Sequence, residues 1–165
     1  MEEYIRPIIV VCKNVFKETL DLDLEEERPF FTKKESWEDC DLSAVIGITG
    51  GAHGAVIISM KKKIGLQITE KLTGLKYTDI DDDVQDAVGE IINIIAGNIK
   101  QSLNDLSHLD DSSHLFISLP TVIRNSEKRI KWPVKESARI LCIPFKIFKD
   151  ESFFLSVTLE KNNEA

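Results

Sequence analysis

The stretch from Asp82 to Leu106 constrains this chain more than any other, because it holds no proline and repeats its apolar residues at helical spacing. At 100° per residue, Val84, Val88, Ile91, Ile92, Ile95 and Ile99 form one apolar face, the anchor of the helix. The acidic run Asp79 to Asp83 stands just before it, where carboxylates cap a helix and favour the positive end of its dipole. A helix is therefore expected from about Asp82 to Leu106.

The remaining elements follow from the same reading of period and punctuation. Ile5, Ile8, Ile9, Cys12, Val15, Phe16 and Leu20 predict a first helix over residues 2–20, with Pro7 tolerable in its first turn. Residues 21–34 are strand-like but irregular, interrupted by Pro29. Residues 44–48 and 55–58 flank the turn Thr49-Gly50-Gly51-Ala52-His53-Gly54, a hairpin signal. Lys62 to Thr73 reads as a short amphipathic helix stopped by Gly74. After an Asp110–Ser113 loop, Leu115, Ile117 and Leu119 alternate as a strand until Pro120. Thr121–Arg124 and Arg139–Phe148 continue the sheet, and Lys149-Asp150-Glu151 turns the chain into a last strand, Phe153–Leu159. The expected fold is α+β, with helices packed on a largely antiparallel β-sheet. It is read as a single domain over residues 1–160 with a short polar tail at 161–165.

The opposite face of the long helix carries Asp82, Asp86, Glu90, Asn93, Gly97, Lys100 and Asn104. Asp86, Glu90, Asn93 and Gly97 share a sector of about 60°, and Glu90 and Asn93, three residues apart, are surface neighbours. Glycine inside an exposed helix costs about 1 kcal/mol relative to alanine, which close approach by another molecule would explain. The carboxylate can pair with a cation; the amide offers both a donor and an acceptor and so can orient water. Neither is a strong nucleophile and no histidine lies near them in sequence, so the pair suits positioning chemistry rather than covalent catalysis. A merely solvated face shows the same pattern. Ile94, flanking the stripe, is either docking surface or the edge of the core.

Other signals narrow the field. Twenty-eight acidic residues against 21 basic ones give a net charge of −7 and a pI near 5.0, a sign that repels phosphate backbones and disfavours nucleic acid as a partner. There is no 18-residue apolar run, and the first residues are acidic where a signal peptide is basic, so a cytoplasmic protein with no membrane contact is expected. Cys12, Cys40 and Cys142 have neither metal-ligand nor disulfide spacing and are expected to fill space. His53, His108 and His114 match no metal motif. Gly47 to Gly54 lacks the ending of a phosphate-binding loop, Asp79 to Asp83 lacks calcium-loop spacing, and Lys61-Lys62-Lys63 reads as a solvated helix start.

The segment Asp86-Ala87-Val88-Gly89-Glu90-Ile91-Ile92-Asn93-Ile94-Ile95-Ala96-Gly97-Asn98 resembles the D-x3-E-x2-N-x3-G-N signature of the CheC/CheX/FliY family of response-regulator phosphatases, in its CheX form. Asn14-Val15-Phe16, the segments 45–50 and 56–60, Ile117-Ser118-Leu119-Pro120-Thr121-Val122-Ile123 and Ile143-Pro144-Phe145 are similar to further family segments in the same order. The likeness thus extends over nearly the whole chain. It implies a CheC/CheX-like fold and dephosphorylation of the phospho-aspartate on a CheY-type response regulator, the step that ends a chemotaxis signal. It further implies that Asn93 orients the hydrolytic water, that Glu90 pairs with the regulator's active-site lysine, and that Asp86, Ile94, Gly97 and Asn98 contribute to docking. Mg²⁺ would arrive with the regulator, this chain binding no metal or cofactor of its own, and the chain would form a homodimer. Two-motif relatives carry a second such motif on the first helix. Here Val11 stands where its glutamate would be, three residues before Asn14, so one site per chain is expected. Arg124-Asn125 and Lys149-Asp150-Glu151 replace glycine-bearing turns, so different loop shapes are expected there. The rival reading is a non-catalytic CheC-like adaptor that binds a response regulator or a flagellar-switch component.

Overall fold

The computed structural model describes residues 2–33, 39–107, 114–124 and 139–162. A turn of 3-10 helix, Glu2–Tyr4, leads into α1 (Ile5–Leu20), so the predicted first helix begins three residues late. The strands are β1 (Glu25–Glu26), β2 (Phe30–Thr32), β3 (Leu42–Gly50), β4 (Ala52–Met60), β5 (Leu115–Ile117), β6 (Thr121–Arg124), β7 (Ile140–Ile147) and β8 (Glu151–Lys161). Between β4 and β5 lie α2 (Lys62–Thr73) and α3 (Asp82–Ser107). The strands form one sheet in the order β1-β7-β8-β4-β3-β5, with β2 also on β7 and β6 also on β3. Every pairing is antiparallel.

The three helices share one core with the sheet. Ile8, Cys12 and Phe16 of α1, Ile64 and Ile68 of α2, and all six apolar anchors of α3 lose nearly all their solvent exposure there. Leu42, Ala44, Ile46 and Ile48, alternate residues of β3, meet them from the sheet, as the two-residue period of a strand requires. Phe153 sits between Phe16 and Phe145, with ring centroids 5.0 and 5.4 Å away. Both faces of central β4 are buried, which is why its sequence reads as an apolar run rather than an alternation. The β3–β4 turn is tighter than predicted, confined to the Gly50–Gly51 step. Gly50 has φ 103°, and a Cβ there would lie 2.1 Å from the carbonyl oxygen of His114, so only glycine fits.

The charged ends of the helices are neutralised locally. Asp81 Oδ1 accepts the Val84 N–H at 3.0 Å and caps α3, whose first turn carries Asp82 and Asp83. The lysines starting α2 are paired rather than merely solvated: Lys62 lies 3.0 Å from Asp79 and Lys63 2.9 Å from Glu151.

One further expectation needs correction. Leu119 does not continue the strand: β5 ends at Ile117, and Leu119 is 85% exposed. Lys161 closes β8, and Asn162 Nδ2 donates to the Gly50 carbonyl at 2.6 Å. The turn into β8 takes up left-handed backbone without a glycine, with φ 49° at Phe148 and 68° at Lys149. The Asp110–Ser113 loop, His108 and Asn125 lie outside the described residues.

Candidate functional site

Helix α3 turns its predicted stripe away from the core. Asp86, Glu90 and Asn98 are exposed, and Asn93, Ile94 and Gly97 are half-buried. No hydrogen bond or ion pair to another described residue holds the side chains of Asp86, Glu90 or Asn93. The carboxylates and the amide are therefore available to something outside this chain.

Two glycines on α3 serve different ends. A Cβ on Gly89 would lie 3.4 Å from Val122 Cγ2 and 3.7 Å from Pro120 Cγ, ordinary contact distances, so this glycine faces the β5–β6 segment. A Cβ on Gly97 would meet nothing within 4 Å. Internal packing therefore does not require Gly97, which leaves bare backbone on the same stripe as Glu90 and Asn93.

The remaining candidates divide. Ile94 packs partly against the core, which makes it the stripe's boundary, with part of its surface still outside. Asn98 Nδ2 donates to the Ile94 carbonyl at 2.9 Å, so that amide rests on its own helix. Asn104, which the wheel placed on the polar face, holds the fold together instead, because its Oδ1 accepts the Leu115 N–H at 3.3 Å. At the other end, the Arg124 guanidinium donates to the Ile80 carbonyl just before α3. The β5–β6 segment thus runs antiparallel along α3 and holds it near both ends. Sequence reasoning missed these fixings; Pro120 within an apparent strand was the one signal, since proline is confined to edges and bulges.

Chemically, the stripe offers a carboxylate, an amide and an open backbone, and no nucleophile. Cys12, Cys40 and Cys142 are buried free thiols; burial raises all three, Cys40 and Cys142 to about 11, so they are not thiolates at neutral pH. Among the described residues no group of three or more histidines, cysteines or acids is placed to hold a metal ion, and no helix is long and apolar enough to cross a membrane. The arrangement can orient a water and bind a cation on a second molecule.

Known proteins resemble this chain in sequence and in fold. The sequence model of a family described as chemotaxis phosphatase CheX matches residues 42–146, from β3 into β7 with all of α3 included. The CheY-P phosphatase CheX of Thermotoga maritima is 31% identical over 120 residues, 72% of each chain. The chemotaxis protein CheX of Vibrio vulnificus superimposes with a TM-score of 0.80 at 23% identity, covering 96% of this chain and 99% of that one. CheX of Borrelia burgdorferi, in a complex with CheY, BeF3 and Mg²⁺, superimposes with a TM-score of 0.76 at 24% identity over 96% and 98%.

Proposed function

The chain belongs to the CheX family of chemotaxis phosphatases, and from that membership we propose that it hydrolyses the phospho-aspartate of a CheY-type response regulator. One observation carries the reading: Glu90 and Asn93 stand together on an outward helix face, unengaged by their own fold, beside a glycine that packing does not require. A site with no nucleophile and no metal cluster among its described residues suits a reaction whose electrophile comes with the partner.

On this reading α3 docks over the regulator's phosphorylation pocket. The Asn93 carboxamide accepts a hydrogen bond from a water and holds it in line with the phosphorus. The water attacks phosphorus, the bond to the aspartate oxygen breaks, and inorganic phosphate and a free aspartate remain. Glu90 pairs with the lysine ammonium of the regulator's pocket and sets the register. Asp86, Gly97 and Asn98 line the contact, with Ile94 at its edge. Mg²⁺ is carried by the regulator and neutralises phosphoryl charge, a division of parts that the Borrelia complex of CheX with CheY, BeF3 and Mg²⁺ supports. The proposal extends to action in the cytoplasm as a homodimer with one site per chain.

The test is direct. The purified chain, mixed with the same organism's CheY phosphorylated by a small-molecule phosphodonor in Mg²⁺, is expected to accelerate loss of the phosphoryl group. No acceleration with any CheY-type regulator of that organism would overturn the proposal.

A further inference from the structure

The edge strand beside α3 contains an irregularity. Ile117 faces Ile48 and Thr121 faces Val45, so Ser118, Leu119 and Pro120 span what Gly47 and Ile46 span on β3. This is a β-bulge of one extra residue, opposite Ile46, whose side chain lies in the helix-side core. Bulges of this kind re-aim a side chain.

The bulge is braced on several sides. The Ser118 N–H donates to the Gly47 carbonyl at 3.0 Å, and Ser118 Oγ accepts the Gly47 N–H at 3.0 Å. Ser118 Oγ also donates to the Leu119 carbonyl at 2.9 Å. Pro120 fixes its own φ and abuts Gly89 of α3. The backbone around Leu119 is thus locked, yet its side chain is 85% exposed, the highest of the large apolar side chains among the described residues. A rigid bulge that holds a leucine in water gains nothing for the fold.

Its position relates it to the stripe. Pro120 faces Gly89, its Cγ 3.7 Å from where a Cβ would stand, and the strand runs from there toward Leu115, whose N–H donates to Asn104. One strand residue, about 3.3 Å, matches roughly two helix residues at 1.5 Å each. Leu119 therefore comes level with the turn between Glu90 and Asn93, on the side of the stripe opposite Ile94.

We propose that Leu119 is a preformed apolar anchor that seats the phosphorylated regulator's receiver domain beside the Glu90–Asn93 pair. This rests on the phosphatase reading above. With its backbone braced before contact, the residue adds affinity at the cost of ordering one side chain only and fixes the orientation of the docked partner. Its role is in binding and specificity; it touches no reacting atom.

The test compares Leu119→Ser with wild type and with Leu119→Met, which keeps an apolar side chain on the same backbone. Turnover of the same organism's phosphorylated CheY in Mg²⁺ is measured across regulator concentration. Leu119→Ser is expected to raise KM about tenfold, with kcat within about twofold of wild type, and Leu119→Met to restore KM. Equal KM for wild type and Leu119→Ser, with Asn93→Ala still slow, would sink the anchor and leave the phosphatase reading standing. If wild type itself failed to act, both would fall. Leu119→Ser that changed the sedimentation of the chain alone and left KM untouched would assign the side chain to a second copy and overturn the proposal.

Discussion

Helices α1 and α3 rest on the same core, each carries an asparagine on its outer side, and they differ in what surrounds that asparagine. On α3, Glu90 precedes Asn93 by three residues, and neither is held by another described residue. On α1, Val11 precedes Asn14 by three residues and packs partly against the core. The neighbouring Lys13 donates to Glu26 of β1 at 2.6 Å, which holds the Glu26 carboxyl below the usual carboxylate range. Arg6 adds a second contact to the same carboxylate. The polar side of α1 fastens a strand to the fold; on α3 the Asp86, Glu90 and Asn93 side chains are left unfastened. Packing a helix on this sheet leaves its outer face open to either use, and only α3 presents an outward carboxylate and amide free of partners among the described residues.

Removing the amide tests the contrast most severely. Asn93→Ala is expected to lower hydrolysis of the phosphorylated regulator by roughly 10²–10³, as loss of one positioned transition-state group does, with an unchanged circular dichroism spectrum. Wild-type speed in that variant would remove Asn93 as the group that positions the water. Glu90→Ala is expected to weaken docking by about tenfold, the scale of one lost charged hydrogen bond, and to slow turnover at low regulator concentration. Unchanged affinity in a titration would remove Glu90 as the lysine's partner. Gly97→Ala should separate stability from activity. Open space around its Cβ means the helix gains up to about 1 kcal/mol, seen as a higher denaturation midpoint, while KM rises a few-fold. A lower midpoint would contradict the open geometry. The smallest effect is expected on α1: Val11→Glu in the Asn93→Ala background should restore no measurable turnover, because Val11 is half-buried and Lys13 lies engaged beside Asn14.

Much of this was legible in the residues, for reasons that differ by element. The reading of α3 as Asp82 to Leu106 falls one residue short of the observed Asp82–Ser107, because an uninterrupted 3.6-residue period has no strand alternative. The expected limits of α2 are its observed ones, since Gly74 ends it in the left-handed conformation, at φ 74°. The stripe of Asp86, Glu90, Asn93 and Gly97 was also legible, because angle on a helix follows from spacing alone. What it lacked was context. Spacing placed Asn104 on the same face, and only the tertiary fold turns its Oδ1 to the Leu115 N–H. By alternation Leu119 is the next step of the strand, yet a single extra residue in the register throws it into solvent. A bulge is a relation between two strands, and one strand's sequence does not contain it. Likewise the wheel puts Gly97 on the stripe and Gly89 beside it, but only the fold shows Gly89 facing Val122 and Pro120 and Gly97 facing open space.

The most direct test of the account is the structure of this chain bound to its CheY-type regulator, activated with beryllofluoride in Mg²⁺. The account predicts α3 seated over the phosphorylation pocket, with the Asn93 carboxamide hydrogen-bonded to a water in line with the beryllium and Glu90 on the lysine ammonium. A regulator docked on α1 or elsewhere, with the α3 stripe facing solvent, would contradict it.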